Sequence, residues 1–445
     1  MERSLSDIPN VDSLVHPEDE AGVAAAIRFA ADTGVHLRVR GAGHSPPEGF
    51  GGDSEDDLVL SLDHMRELTV LDADQRIVEA QAGIHLGPDP EAAGDGGLPE
   101  NSLLHQLAHI HGWTVCLTGG ITHQTLGGFL ASCSSGGSVA HSFLDHVVGL
   151  RLIDGTGQTR EYRADDREGP GLAGVLPSLG LLGVIVSVTL RCEPIFTIAG
   201  QEAIADLKGA GIDLEGPGSV GRASLAEFLK ENEYARIQWW PQRGGERVLV
   251  WQAQRAPVTP GFRPTPYEQF TRYPLAGQAL FSTIFVVFGN LLAPERISRL
   301  LRRNIEEVET ELQPFREAGR IKGSRRLMAD GILTGMRLLA AGAPALRWLR
   351  RPLKAALPWL VPATLSTFLP LDDRKPGMRR GEPQAFHDWS WEGIPMDNQA
   401  NDVLLWSQFT ELWVPLGRAA ELVRVVRDYF AEPKDPIASY HRTGL

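Results

Sequence analysis

Cysteine is scarce: Cys116, Cys133 and Cys192 are the only three in 445 residues, and their spacing suits neither a disulfide framework nor a thiolate metal site. That scarcity fits a reducing compartment. Positive charge is also short, with 43 Lys and Arg against 56 Asp and Glu and a formal net charge of −13. Such a balance excludes a nucleic-acid partner held by bulk electrostatics. The opening residues, Met1 to Asn10, lack the apolar core of a secretory signal, so the cytoplasm is the expected location. Neither a Walker A sequence nor an internal repeat occurs. Long hydrophobic runs are few. The uncharged stretch from Tyr273 to Pro294 approaches bilayer-spanning length but is broken by Pro274, Gly277, Gln278, Ser282, Thr283, Gly289 and Asn290, and reads as a buried helix.

What is present is ordinary for a globular chain, with 42% hydrophobic and 22% charged residues. The length suffices for two or three domains. Residues 18–35 place apolar side chains at helical spacing, with acids in the first turn. Short strands are expected at His36–Gly41, Asp57–Leu62, Glu67–Asp72 and Arg76–Gly83, and a helix at Leu103–Gly112. Val147–Ala164 carries a hairpin signal with Asp154-Gly155 at its turn, and Gly183–Pro194 alternates β-branched residues. From about residue 196 the texture changes. Ala235–Arg255 predicts a second hairpin around Gly244-Gly245, and residues 257–380 form a proline-punctuated, apolar and locally basic insertion. Phe409–Phe430 predicts strand, turn and amphipathic helix. The fold class is α+β, with a two-subdomain unit over 10–195 followed by an α+β cap over 196–445. The basic residues between Arg316 and Lys354 leave room for peripheral membrane contact, although a solvated helical insertion is the plainer reading.

Two glycine-rich loops carry the chemistry. Arg38-Val39-Arg40-Gly41-Ala42-Gly43-His44-Ser45 follows a predicted strand, and its glycines let backbone N–H groups turn inward, as a pyrophosphate requires. It is no dinucleotide fingerprint, because Pro46 stands where the third glycine should be. The second loop runs from Cys116 through Thr118-Gly119-Gly120, Gly127-Gly128 and the small residues Ser132 to Ser138. Spacing alone leaves two readings, an extended phosphate-containing ligand or tight turns in a β-rich domain. Other candidates read as structural. His105, His109 and His111 have helical spacing for zinc, but Gln106 stands where a glutamate base would and no acid completes a site. The acids around Asp57 lack calcium-loop spacing. Trp239, Trp240, Trp389 and Trp391 fit a substrate face or a core equally. No metal is expected.

Six stretches, RVRGAGHSPP, LVLSLDHMREL, VEAQAGIHLG, TGGITHQTLGGFLAS, DHVVGLRLIDGTG and SLGLLGVIVSVTLRCEP, resemble in this order the FAD-binding domain of the vanillyl-alcohol-oxidase (PCMH-type) superfamily. The resemblance is greatest to its aldonolactone and alditol oxidases and covers about residues 10–195. Beyond that it rests on PMDNQANDVLL and FTELWVP. It implies FAD as cofactor, attached covalently through His44 to the flavin 8α position. It also implies that Arg40, Gly41, Ala42, Gly43 and Ser45 hold the pyrophosphate. Thr118, Gly119, Gly120, Thr122, Gly127 and Gly128 would then run beside the isoalloxazine. Ser132, Ser134, Ser135, Gly136 and Ser138 would border the cofactor, with Val184 and Ile185 toward the adenine or ribose.

Ser135 stands where many relatives have histidine. Cys116 has the outline of a second flavin attachment known in berberine-bridge-type relatives, but a plain buried cysteine is the stronger reading. The implied activity oxidises a C–OH group of a sugar alcohol, aldonolactone or similar small hydroxylated substrate, passing hydride to flavin N5 and then to oxygen or another acceptor. Catalytic groups of that branch lie in a C-terminal segment not found through Leu445, so the cap is expected to be cut short and no catalytic residue carries over. The alternative is a flavin-binding protein without turnover, serving redox sensing or a complex.

Overall fold

Asp19 starts the first helix: its carboxylate accepts a hydrogen bond from Gly22 N at 2.9 Å, and Gly34, with φ of 72°, ends it. This helix, Glu20–Thr33, buries Val23, Ala24, Ala26, Ile27 and Ala30. It crosses between β2 (Leu14–Val15) and β3 (Leu37–Arg40), both of which pair in parallel with β4 (Leu58–Ser61). Parallel strands need such a crossover. A short β1 (Asn10–Val11) adds to β2 in antiparallel fashion. The computed structural model describes residues 10–11, 14–45, 57–89, 98–166, 171–176, 178–241, 247–267, 383–395, 413–431 and 443–444, with a few positions between 302 and 338. The turn around Gly244-Gly245, the uncharged stretch from Tyr273 and most of the 257–380 insertion lie outside them.

A second sheet is wholly antiparallel. Its strands are β5 (Leu68–Asp72), β6 (Ile77–Gln81), β8 (Val147–Ile153), β9 (Thr159–Arg163) and β10 (Val184–Arg191), in the order β5-β6-β10-β8-β9. The expected hairpin is β8–β9. At its turn the Asp154 carboxylate accepts from the Thr156 hydroxyl, Arg160 and two backbone N–H groups, which holds it below the usual carboxylate range. Val186, Val188 and Leu190 of β10 are fully buried with Leu150, Val78 and the first helix in one continuous core. A two-residue ladder joins β7 (Trp113–Thr114) to β11 (Glu193–Pro194).

Leu103–Gly112 is helical, as expected, but in two forms. An α-turn, Leu103–His105, passes into a π-helix, Gln106–His111, closed by Gly112 at φ of 68°. Leu103, Leu104 and Leu107 all stay buried, and the rings of His105 and His109 lie 4.3 Å apart.

A third sheet begins at β12 (Thr197–Ala205). With β15 (Tyr234–Trp240), β16 (Arg247–Ala256), β17 (Gln384–Trp389) and β18 (Thr443–Gly444) it has the order β17-β12-β16-β15-β18, antiparallel throughout. A two-residue parallel ladder, β13 (Ile212–Asp213) with β14 (Ala223–Ser224), lies beside it. One face packs Trp239, Ile237, Val248 and Val250 against the helices Leu225–Glu231 and Ala419–Ala431. The other carries Tyr234, Trp251, Leu249, Ile198 and Phe386, packed with Cys116 and Leu117. Directly opposed residues share a face, so the register also sets Arg236 beside Trp251, then Glu202, then Gln384, in one row. Among the described residues no helix is long and apolar enough to cross a membrane.

Candidate functional site

The first glycine loop leaves the end of β3 and packs on the second. A Cβ on Gly41 would lie 2.4 Å from Thr125 Oγ1, so only glycine fits there. Gly43 takes φ of 80°, beside the Arg40 guanidinium. The rings of His44 and His123 are 5.9 Å apart. Thr125 caps the helix Leu126–Ala131 by accepting from Gly128 N.

The segment from Thr122 to Gly127 is held along residues 82–87 by backbone bonds. Gly127 N donates to Ala82 O at 2.8 Å, Leu126 N to Ile84 O at 2.8 Å and Gly87 N to Thr122 O at 2.7 Å. Three of the recognised stretches thus form one body.

The serine-rich loop closes over this body. Ser132 Oγ donates to Gly128 O, and Ser134 Oγ lies 3.0 Å from Ser132 Oγ and accepts from Gln124 at 3.1 Å. Ser135 is exposed. A Cβ on Gly136 would sit 2.1 Å from Thr118 O, and one on Gly137 would sit 2.2 Å from Ala235 O. Ala235 N donates to Gly137 O at 2.8 Å and Ser138 Oγ to Glu233 O at 2.6 Å. These bonds tie the loop to β15.

At this junction Thr118, Gly119, Gly120, Gly136 and Gly137 meet Tyr234, Arg236, Trp251 and Ile394 around one small cavity. A second cavity shares Thr118 and Gly136 and continues along Cys133 to Ser135 and Phe143. Thr118 is 4% exposed, and its hydroxyl has no hydrogen-bond partner among the described residues. Val184 and Ile185 are not part of this junction; their side chains are buried in the core of the second sheet.

A charged network lies just behind the cavity. Arg255 donates to Glu193 at 2.7 Å and to the Tyr234 hydroxyl at 3.0 Å, and contacts Glu233 at 2.8 Å. Burial raises the Tyr234 phenol well above its usual range. His146 Nε2 accepts from Cys116 N at 2.7 Å while its Nδ1 donates to Arg191 O at 2.7 Å. Cys116, His146 and Glu193 bring potential ligand atoms within 4.8 Å of one another, yet both imidazole nitrogens are spent on backbone groups. Burial pushes the Cys116 thiol up to about 12, so it stays protonated and a poor nucleophile or ligand. A second such group, His16, Asp63 and His64, lies away from the junction at the end of β4, where His16 Nδ1 is 2.8 Å from Asp63.

Sequence reading found the glycine loops but missed Tyr234, Arg236, Trp251 and Ile394. Of the four tryptophans it named, Trp239 and Trp240 are buried in β15, while Trp389 and Trp391 stack on each other at 4.9 Å. An arginine in the strand ARIQWW, apolar apart from it and Gln238, was the available signal.

A helix-crossed parallel sheet beside an antiparallel one, bridged by glycine loops, is the PCMH-type FAD-binding fold, and residues 11–93 match the family described as FAD binding domain. Named relatives narrow the likeness. The chain is 25% identical over 234 residues to L-gulonolactone oxidase of Bos taurus, covering 52% of this chain and 46% of that one. It is 26% identical over 250 residues to an alditol oxidase of a Streptomyces species, covering 56% and 54%. A putative D-arabinono-1,4-lactone oxidase of Neurospora crassa is 24% identical over 241 residues, covering 54% and 38%. The matches thus span about half, or less, of the length of these relatives. Cholesterol oxidase from Brevibacterium sterolicum, in a His121Ala form, shares the fold with a TM-score of 0.53 at 16% identity, over 94% of this chain and 65% of that one.

Proposed function

We propose that this chain is an FAD-dependent oxidoreductase of the CH–OH-oxidising type, acting on a sugar alcohol, aldonolactone or related hydroxylated small molecule, with oxygen as acceptor. Residues 10–195 serve the cofactor and residues 196–445 the substrate. The observation that carries the reading is the cavity lined by the second glycine loop, on which the first loop packs through Gly41, and where the buried Thr118 hydroxyl has no partner among the described residues. A buried unpaired hydroxyl costs about 1–3 kcal/mol, a cost that a bound ligand offsets.

The residues present fit FAD. Arg40 and the positive-φ turn at Gly43 offer donors for a pyrophosphate. Thr118 to Gly120 and Gly136 line the cavity and are the residues proposed to border the flat ring. His44 stands on the first loop and is the proposed covalent anchor, neutral imidazole being a competent nucleophile. FAD, when bound, supplies the two-electron acceptor. The chain's own part is to place the substrate and exclude water. Trp251, Tyr234 and Ile394 wall the cavity on the cap side. The Arg255–Glu193 and Arg255–Glu233 contacts brace that wall from behind.

Acid precipitation tests the cofactor, with a His44→Ala control. A yellow pellet carrying the added mass of FAD, absent in the control, is the expected result; flavin in neither fraction would overturn the reading. Bleaching of the visible flavin band by a polyol, lactone or hydroxy acid then tests turnover.

A further inference from the structure

Arg236 stands out because its charge is held in place and left uncompensated. Its Nη1 donates to Ile394 O at 2.9 Å and its Nη2 to the Tyr267 hydroxyl at 3.2 Å, while Tyr267 in turn donates to Pro395 O at 2.9 Å. The guanidinium lies 4.6 Å over the Trp251 ring. None of these neighbours carries a negative charge, and among the described residues Arg236 has no ion-pair partner. Glu202 shares its row but stands two strands away beyond Trp251, about 10 Å by strand spacing. Every acid beside the neighbouring Arg255 is already engaged by that residue.

Three residues that line this cavity each carry a buried polar atom with no partner among the described residues: Arg236 Nε, Trp251 Nε1 and Thr118 Oγ1. Trp251 is 2% exposed and Thr118 4%. The two N–H groups can only donate, so the missing ligand atom must accept. A fixed, half-buried guanidinium with a free N–H selects for a charged acceptor over a neutral one, because charge-assisted bonds are roughly twice as strong.

We propose that Arg236, with Trp251 and Thr118, forms a subsite for an anionic oxygen group, and that the substrate is therefore a hydroxylated compound bearing a carboxylate rather than an uncharged polyol. This rests on the oxidoreductase reading for the word substrate, but not for the binding. The flavin itself also presents carbonyl oxygens, so the test must separate the two sources.

The experiment measures binding of gluconate and of sorbitol to the purified full chain by titration calorimetry, with flavin content read independently from absorbance. Wild type is expected to bind gluconate about tenfold or more tighter than sorbitol, the worth of one good charge-assisted contact. Arg236→Gln should erase that preference, and Arg236→Lys, which keeps the charge, should retain part of it. If Arg236→Gln does not fold, Trp251→Phe and Thr118→Val each should narrow the ratio. Equal binding of the two ligands by wild type, or a ratio unchanged in Arg236→Gln, would overturn the proposal. Loss of flavin from Arg236→Gln with the ratio intact would assign the subsite to the cofactor and likewise overturn it. A wild-type chain that prefers gluconate yet carries no flavin would uphold the subsite while the oxidoreductase reading failed.

Discussion

The Tyr234 hydroxyl donates a 2.9 Å hydrogen bond to the backbone carbonyl of Cys116, 118 residues earlier in the chain. The same hydroxyl accepts from Arg255 Nε at 3.0 Å, so one phenol joins the loop before Thr118 to two strands of the third sheet. Both atoms lie in a buried seam, where an unpaired partner is costly.

Tyr234→Phe keeps the ring, which stacks on His141 at 5.5 Å, and removes only the hydroxyl. The Cys116 carbonyl and an Arg255 N–H lose a partner, so a loss of about 1–3 kcal/mol in unfolding free energy is expected. Urea unfolding followed by tryptophan fluorescence measures it. An unchanged midpoint would mean that water replaces the phenol at the seam.

Glycine at 136 is required by contact rather than by dihedral angle. Gly136→Ala places a methyl 2.1 Å from the Thr118 carbonyl, which is backbone and cannot rotate away. A loss of about 1–3 kcal/mol is expected, as for overpacking elsewhere. Gly155→Ala is the control, with nothing within 4 Å of its added Cβ, and should be silent. Thermal melts of the two variants side by side decide the matter.

Asp388 gives a pH dependence with a definite sign. Burial raises its carboxyl from 3.8 to about 6, with Glu392 nearby adding to the rise. The folded state therefore binds a proton more tightly than the unfolded chain does. Stability falls as pH rises from about 4 through about 6, and the penalty is complete above that. Asp388→Asn should remove this slope and be the more stable protein at pH 7. Denaturation midpoints collected between pH 4 and 8 test both statements, and a parallel pair of curves would refute them.

Thiol reactivity should divide the three cysteines. Cys116 and Cys192 are buried, and burial pushes each up to about 12; Cys133 is only partly covered. Iodoacetamide at mildly alkaline pH should modify Cys133 alone in the native protein and all three after denaturation. Mass spectrometry of the intact chain counts the adducts.

Much of the first two sheets was legible because local pattern and contact coincide there. The β8–β9 hairpin has its turn in adjacent residues, and the glycines at 41 and 136 announce close approaches even though their partners lie elsewhere. The side of the cavity formed by the third sheet was not legible for a physical reason. Arg236 faces it only because the β15–β16 register sets it opposite Trp251, and no local signal encodes that register. The π-helix at Gln106–His111 was equally hidden, since its apolar residues keep a spacing that an α-helix would also bury. Val184 and Ile185, which the resemblance set toward the adenine or ribose, open a strand whose first five residues are all buried, so their side chains lie in the core.

The bond from Ala235 N to Gly137 O has a consequence for solubility. Strand β15 is paired on one side with β16; on its other side it meets the Gly137 loop at one end and β18 at the other. The outer rim of the third sheet is thus sheathed by the same loop that lines the cavity. Whatever loosens that loop bares strand edge that can recruit another molecule. Chains stripped of their ligand should therefore precipitate before they unfold, and filling the cavity should keep them in solution.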